Sequence, residues 1–496
     1  MKKMIVSVAI LGLLSQSQSL FAKSLEDVLK EKGVITQQDY DEVTQTPTAP
    51  PPVPANNTPA EPATEGGYTV KMKGITVNLG GFIEAAGIYR SRNLNSDMSS
   101  QFQKLPLGNS SAYDEDETRF SARQTRLSLL ATGDYNPAIH LAGYYEMDFL
   151  GAANSANSKE SNSYNPRIRH LYTTVDWDNL GLHLLAGQTW SLVTLNNNGI
   201  TNHNEVTPQT IDAQYVPGFT WARQAQFRIT KDFAKKLWLS MSVENPQTTI
   251  GGTVNTGTPS NTALNITGNG GNLDGVTLSA NDFPDVVTKV AFEPGWGHFE
   301  VYDLLRTFES NVNTSAGVLN KSHITTTAVG AGVILPLVPN HLKATFSSLY
   351  GEGIGRYGSA QFPDVAEDAN GNLKPLRELQ LLGGLIWDPA RSLTLYGYYG
   401  QEQVNNTKLL AAGNGYGFGT NNAGSAIFGG TANSNIQRVS QFTVGDWWKF
   451  FEGQYGRMQL GLQYSYTVNK YFNAVAGGAP TANDHMVFTS LRYYWQ

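Results

Sequence analysis

From residue 68 onward the chain repeats one grammar. Segments of roughly ten residues alternate apolar and polar side chains, and the connections between them are short and long in turn. Seven short links fall at Asn136-Pro137, Asp178-Asn179, Lys231 to Lys236, Glu293 to Trp296, Leu335 to Asn340, Asp388 to Arg391 and Phe450 to Gln454, most with turn chemistry. Eight long links rich in Asn, Gly and Ser fall near 91 to 118, 151 to 164, 191 to 219, 245 to 282, 309 to 322, 351 to 376, 403 to 435 and 468 to 483. Together they join 16 strands and leave both ends on the short-turn side, the arithmetic of an up-and-down barrel. The predicted fold is therefore all-β: a 16-stranded antiparallel transmembrane β-barrel over residues 68–496.

Individual strands assign the two faces. In 138–150, Leu141, Tyr145, Met147 and Phe149 share one face, and His140, Tyr144, Glu146 and Asp148 share the other. Ala225, Phe227 and Ile229 likewise oppose Gln224, Gln226 and Arg228, and Leu237, Leu239, Met241 and Val243 oppose Ser240, Ser242 and Glu244. In the last strand Val487, Leu491, Tyr493 and Trp495 oppose Ser490 and Arg492. A soluble β-sandwich alternates too. The asymmetry of the links argues for the barrel, as do aromatics at strand ends: Trp177, Trp190, Trp238, Trp296, Trp387, Trp447 and Trp448.

The N-terminal part follows different rules. Lys2 and Lys3, the apolar run Met4 to Leu14 and Ala22 have the layout of a signal peptide, expected over residues 1–22. Eleven apolar residues are too few to span a bilayer as a helix, and no later run approaches the roughly 20 required. Only a closed barrel then pairs every backbone group in lipid. Residues 23–45, with Leu25, Val28 and Leu29 at helical spacing, read as a helical periplasmic segment. Residues 46–67, with Pro50-Pro51-Pro52, read as a Pro-rich linker. The expected location is the outer membrane of a Gram-negative cell, with outer-membrane lipid around the barrel.

Charge narrows the function. The net charge is −6, and charged residues make up 15% of the chain, which disfavours a nucleic-acid partner. Subtracting the +2 of residues 1–22 and the −5 of residues 23–66 leaves −3 for the barrel. There is no cysteine, no HExxH and no recognised nucleophile grouping, so the chain reads as a non-enzyme without cofactor or metal. His140, His170, His183 and His298 are scattered. The acidic run Asp114 to Glu117 reads as a solvated loop face, with a divalent-cation site as its alternative. The informative charges share parity with the polar face: Arg126, Arg169, Arg228, Arg306 and Arg492, with Glu146, Asp148 and Glu244. Rows of opposite sign across an aqueous bore orient dipolar solutes, and forked guanidinium donors suit carboxylate and phosphate oxygens. The third long loop, flanked by Trp190 and Trp221, carries Glu205, Asp212 and Tyr215. By analogy with 16-strand diffusion porins it is expected to fold into the bore, with Glu205 and Asp212 facing the arginine row; an ordinary extracellular loop is the alternative.

Five segments then carry a resemblance. Phe120-Ser121-Ala122-Arg123-Gln124-Thr125-Arg126-Leu127, Gly187-Gln188-Thr189-Trp190, Val243-Glu244-Asn245-Pro246, Phe283-Pro284-Asp285 and Gly351-Glu352-Gly353-Ile354-Gly355-Arg356-Tyr357 resemble, in order, segments of the DcaP-like outer-membrane porins. The segment from Leu29 to Tyr40 is similar to short pieces that precede phosphate-selective porins. The resemblance spans roughly residues 68 to 360 and does not extend past Asp446. It implies a homotrimer passing small anionic or polar metabolites. The expected function is passive diffusion of small hydrophilic solutes, mildly favouring anions. The competing reading is a plugged structural or adhesive barrel, followed by an enzymatic barrel; an energy-coupled importer would need a plug domain and about 22 strands.

Overall fold

The computed structural model describes residues 68–108, 110–151, 164–251, 281–313, 319–367, 372–405, 418, 435–472 and 481–495. The expected signal peptide, helical segment and Pro-rich linker all lie outside them. Sixteen antiparallel strands close on themselves. They are β1 (Ile75–Arg90), β2 in two pieces (Glu117–Ser121 and Arg126–Asn136), β3 (Ile139–Gly151), β4 (Asn165–Trp177), β5 (Leu182–Trp190), β6 (Arg223–Phe233), β7 (Leu237–Glu244) and β8 (Asp285–Phe292). Then follow β9 (His298–Asn313), β10 (Leu319–Val338), β11 (Leu342–Glu352), β12 (Arg377–Ala390), β13 (Leu393–Val404), β14 (Ile436–Gly453), β15 (Gly456–Tyr471) and β16 (Thr481–Tyr494). Closure comes from β1, which pairs with β16 from Ile83↔Tyr493 to Arg90↔Met486 and with both pieces of β2 on its other edge. Where β16 ends, a short leading strand, Tyr68–Met72, continues the pairing along β1. No backbone edge is left to lipid along the closed wall, which is what a spanning sheet requires.

The predicted order of short and long links holds throughout. Several lengths differ, most of all in two long links: the fifth, expected over 309–322, gives way to β9 up to Asn313 and β10 from Leu319, and the eighth, expected over 468–483, to β15 up to Tyr471 and β16 from Thr481, so both hairpins are extended on both sides. The motif from Phe120 to Leu127 is an interruption in β2. Residues 122–125 leave the ladder, and Arg123 turns to donate to the carbonyls of Phe149 and Gly151 at 3.0 and 3.1 Å.

Burial inverts the pattern of a soluble protein. Phe227 and Ile229 are 70% and 49% exposed, whereas Arg228 between them is 4% exposed. An apolar outer wall is stable only against lipid, and polar groups belong inside where they find partners. The strand-end aromatics split. Trp296, Trp387 and Trp448 are outward and exposed, as an interfacial belt requires. Trp190, Trp238 and Trp447 are instead inward and buried. Trp238 has the parity of Ser240 and Ser242 and stacks on His183, and Trp447 donates to the Gln209 carbonyl at 2.8 Å.

The barrel has an apolar interior because loops fill part of it. Ile211, Tyr215, Val216 and Phe219 of the third long loop (residues 191–222) pack with inward residues Leu382, Ile386, Tyr396, Tyr398 and Trp447. The sixth long loop (353–376) also turns inward, at Gly353, whose φ of +73° faces the Phe308 ring where a Cβ would crowd. Its Ile354, Tyr357, Phe362 and Val365 are buried. Within it Val365–Glu367 pairs with Ile250–Gly251 of the fourth loop and with Leu373–Pro375. The first long loop (91–116) adds Leu94, Phe102, Leu105 and Leu107 to the apolar cluster at the long-loop mouth. Each such buried side chain contributes roughly 1.5–3 kcal/mol, enough to hold segments that sequence periodicity alone leaves as exposed connections.

Candidate functional site

The third loop is tied down along its whole length. At its start Arg228 donates to the Trp190 carbonyl at 2.9 Å, and Glu244 accepts from the Leu192 amide at 2.8 Å. Lys289 donates to the Thr194 carbonyl and to Glu300, both at 2.7 Å. Farther on, the Gln209 amide donates to the Tyr398 hydroxyl at 3.1 Å and the Ile211 amide to Gln463 on β15 at 2.5 Å. Gly218, with φ +88°, lies flush against the Leu381 carbonyl of β12, and its amide donates to Glu402 of β13 at 2.6 Å. The loop therefore crosses from the β5–β8 side to the β12–β15 side of the interior.

Two cavities flank residues 214–215. The larger, about 360 Å³, lies on the short-turn side between residues 207–215 and the wall of β1–β3 and β13–β16. Its charged lining is Arg126, Lys449, Arg457 and Arg492, with Glu146 and Asp212. Both carboxylates are engaged. Glu146 is paired with Arg169, and Asp212 accepts from the Ser100 amide at 3.1 Å and the Gln214 amide at 2.8 Å. Burial raises the Asp212 pKa against those two donors. Arg492 is paired with Glu84 at 3.2 Å and lies 4.3 Å from the Trp447 ring centre. Behind the lining, Asp148 is held by Arg167 at 2.7 Å and Arg169 at 3.1 Å. Tyr215 sits amid Arg126, Arg169 and Arg223: burial disfavours its ionisation, but the three guanidinium groups prevail and bring its pKa down to about 8. The smaller cavity, about 170 Å³, lies on the long-loop side of the same segment and touches Gln214, Trp221 and the first loop.

Other expected site residues face inward but are covered. Arg306 is fully buried and donates to Asp285 at 3.1 Å, Asp364 at 2.6 Å and the Gln247 carbonyl at 2.6 Å, and also to the Gly353 carbonyl. It fastens the fourth and sixth loops to the wall. Arg228 and Glu244 hold the start of the third loop, as above. Glu205 forms a bridge with Asn196 inside the loop and has Arg228, one member of the expected arginine row, and Tyr172 as electrostatic neighbours. Parity chose the correct face of the sheet in these cases, but it carries no information about what covers that face. Of the acidic run, Glu117 is drawn into a 2.8 Å pair with Arg90. The histidines sit with carboxylates or hydroxyls: His140 with Asp134 and His183 with Asp176 at 2.6 Å, His298 with Glu300 at 3.0 Å, and His170 with Thr189 at 2.9 Å.

Three of the five resemblance segments converge on one network. Gln224 donates to the Tyr357 hydroxyl at 3.1 Å and also contacts Glu244; Tyr357 donates to Asp285 at 2.8 Å; Arg356 donates to Asp285 at 2.9 Å and to Gln224 at 2.7 Å. Glu244, Asp285, Arg356 and Tyr357 come from segments well separated along the chain and serve to lock loops. The segment from Phe120 to Leu127 supplies Arg123 and Arg126, which line the two cavities. Sequence reading missed Arg167, Arg223, Lys449 and Arg457. The alternation rule could have found Lys449, two residues from Trp447, but not Arg223, which stands at the loop end.

Comparison with solved structures identifies the fold. The outer-membrane channel DcaP of Acinetobacter baumannii matches with a TM-score of 0.61 at 19% identity, over 87% of this chain and 100% of that one. OmpF of Salmonella typhi matches at 0.48 and 9% identity over 86% and 100%, and OprB of Pseudomonas putida at 0.47 and 11% over 84% and 94%. No protein-family model and no curated protein matches the chain. The fold is that of a porin-type outer-membrane channel: a closed 16-stranded barrel with a lipid-facing apolar exterior.

Proposed function

We propose that this protein is a passive pore for small hydrophilic solutes, with a preference for anions and a bore narrowed by the third long loop. The observation that carries the reading is the charge of the larger cavity. Four cations, Arg126, Lys449, Arg457 and Arg492, stand against the two carboxylates of Glu146 and Asp212, and the cations stay in excess when Glu84, the partner of Arg492, is counted and Arg169, the partner of Glu146, with it. The local field in the gap is therefore positive although the barrel as a whole carries a net negative charge. In a confined aqueous space that local field, rather than total charge, acts on a passing ion. Passage needs no chemistry, only water-filled space and weak, repeated contacts. We take the assembly to be a homotrimer with apolar walls packed together.

The test is the reversal potential of the purified protein in planar bilayers under a KCl gradient. A potential of the sign for chloride over potassium supports the reading; equal permeability or potassium preference overturns the anion assignment. A barrel that stays closed at all voltages would be the structural or adhesive alternative.

A further inference from the structure

The smaller cavity has an unbalanced set of charges. It is lined by Asp97, Lys104, Arg123, Arg167 and Trp221, among others. Asp97 is taken by Arg123, and Arg167 is bidentate to Asp148 at 3.0 and 2.7 Å. Lys104 makes no ion pair among the described residues. Beside the cavity, Arg223 lies with its guanidinium 4.8 Å from the Trp190 ring centre and 5.7 Å from that of Trp221. Its Nη1 is buried without a hydrogen-bond partner, and its charged neighbours are Arg167 and Arg169, of its own sign, against the single carboxylate of Asp148, which those two arginines already hold. A buried guanidinium nitrogen without an acceptor, in surroundings with more positive than negative charge, is costly. The missing partner is an anion.

We propose that this cavity is an oxyanion-holding subsite on the long-loop side of Tyr215, with Lys104 and Arg223 as the two cations that receive a carboxylate, phosphate or sulfate group. Arg223 bridges two compartments. It neighbours Tyr215, which lines the larger cavity, and Trp221 and Arg167, which line the smaller one. An oxyanion captured here is already next to the positive gap below, and the indole of Trp221 offers an apolar surface to the rest of a small organic anion. The volume suits a solute of a few heavy atoms. This inference rests on the anion reading above and adds a defined holding position to it.

Phosphate is the probe. In KCl, inorganic phosphate added on the long-loop side should reduce the chloride current of the wild-type channel in a saturable way. One charge-assisted hydrogen bond is worth about 1.5–3 kcal/mol, so Lys104→Gln or Arg223→Gln should raise the half-effect concentration roughly ten-fold or more. Lys104 is in a loop, so its variant keeps the test valid if Arg223→Gln does not assemble, and Arg377→Gln at the rim serves as the control with unchanged phosphate response. The subsite is overturned if phosphate acts equally on wild type and the Lys104→Gln channel, or has no saturable effect, while chloride preference persists. Loss of chloride preference in the wild type itself would instead remove the anion reading.

Discussion

The inward charges of this barrel do different work on its two sides. On β6 to β9 and on β13, Arg228, Glu244, Lys289, Arg306 and Glu402 are buried and spent on loop backbones or on one another. On β2, β14, β15 and β16, Arg126, Lys449, Arg457 and Arg492 line open space. Both groups obey the same alternation and sit on the same inner face. What separates them is whether a loop with apolar side chains lies over them. A charge under a loop is used up as a fastener, whereas a charge on the wall of open space, even one with a wall partner as Arg492 has, still acts on a passing ion.

The contrast can be broken most forcefully at Arg306. Its change to Ala leaves Asp285 and Asp364 short of a buried partner and should cost about 3–5 kcal/mol, read as a lower thermal unfolding midpoint in detergent. If Arg306 served solute instead, selectivity would shift and the midpoint would not. Next is Gly218→Ala, in which a Cβ overlaps the Leu381 carbonyl at a positive φ. Backbone strain of about 1–3 kcal/mol should lift the third loop from the β12–β13 wall, with single-channel conductance rising roughly two-fold. Unchanged conductance would mean that this loop does not set the bore. On the open side, Arg126→Ala should lower the chloride-to-potassium permeability ratio a few-fold, about 1 kcal/mol in a partly solvated site, with no shift in unfolding midpoint.

The smallest effect concerns pH. Tyr215 has its pKa brought down to about 8, so below that value its hydroxyl is neutral and above it the group adds a negative charge beside the arginines. Anion preference should therefore weaken as pH rises from about 7 to about 9, and Tyr215→Phe should flatten that slope. A wild-type reversal potential constant over this range would show that Tyr215 does not titrate there.

Strand number, face assignment and link order were legible because membrane barrels impose a period of two and alternate link lengths on the sequence, as in Phe227-Arg228-Ile229. The third loop was legible from its length and its flanking tryptophans. The sixth loop was not: Gly351 to Gly355 reads as punctuation, because nothing local says that Ile354 and Tyr357 will be buried by partners from β9 and the third loop. The same limit explains Arg228 and Arg306, whose parity is right and whose surroundings come from residues far along the chain. Arg223 escaped because it begins a strand, where alternation is not yet established.

The first, third and sixth loops also bond to each other, through Ser100 to Asp212 at 3.1 Å, Trp221 to Tyr357 at 2.7 Å and Ser359 to Phe219 at 3.0 Å. Outward-facing connections of a bacterial surface protein are ordinarily its most substitutable parts. Here the described parts of these three, with the piece of the fourth loop that pairs with the sixth, are interior to the fold, so a change in one must be matched in the others and less of the surface is left to vary under attack from outside.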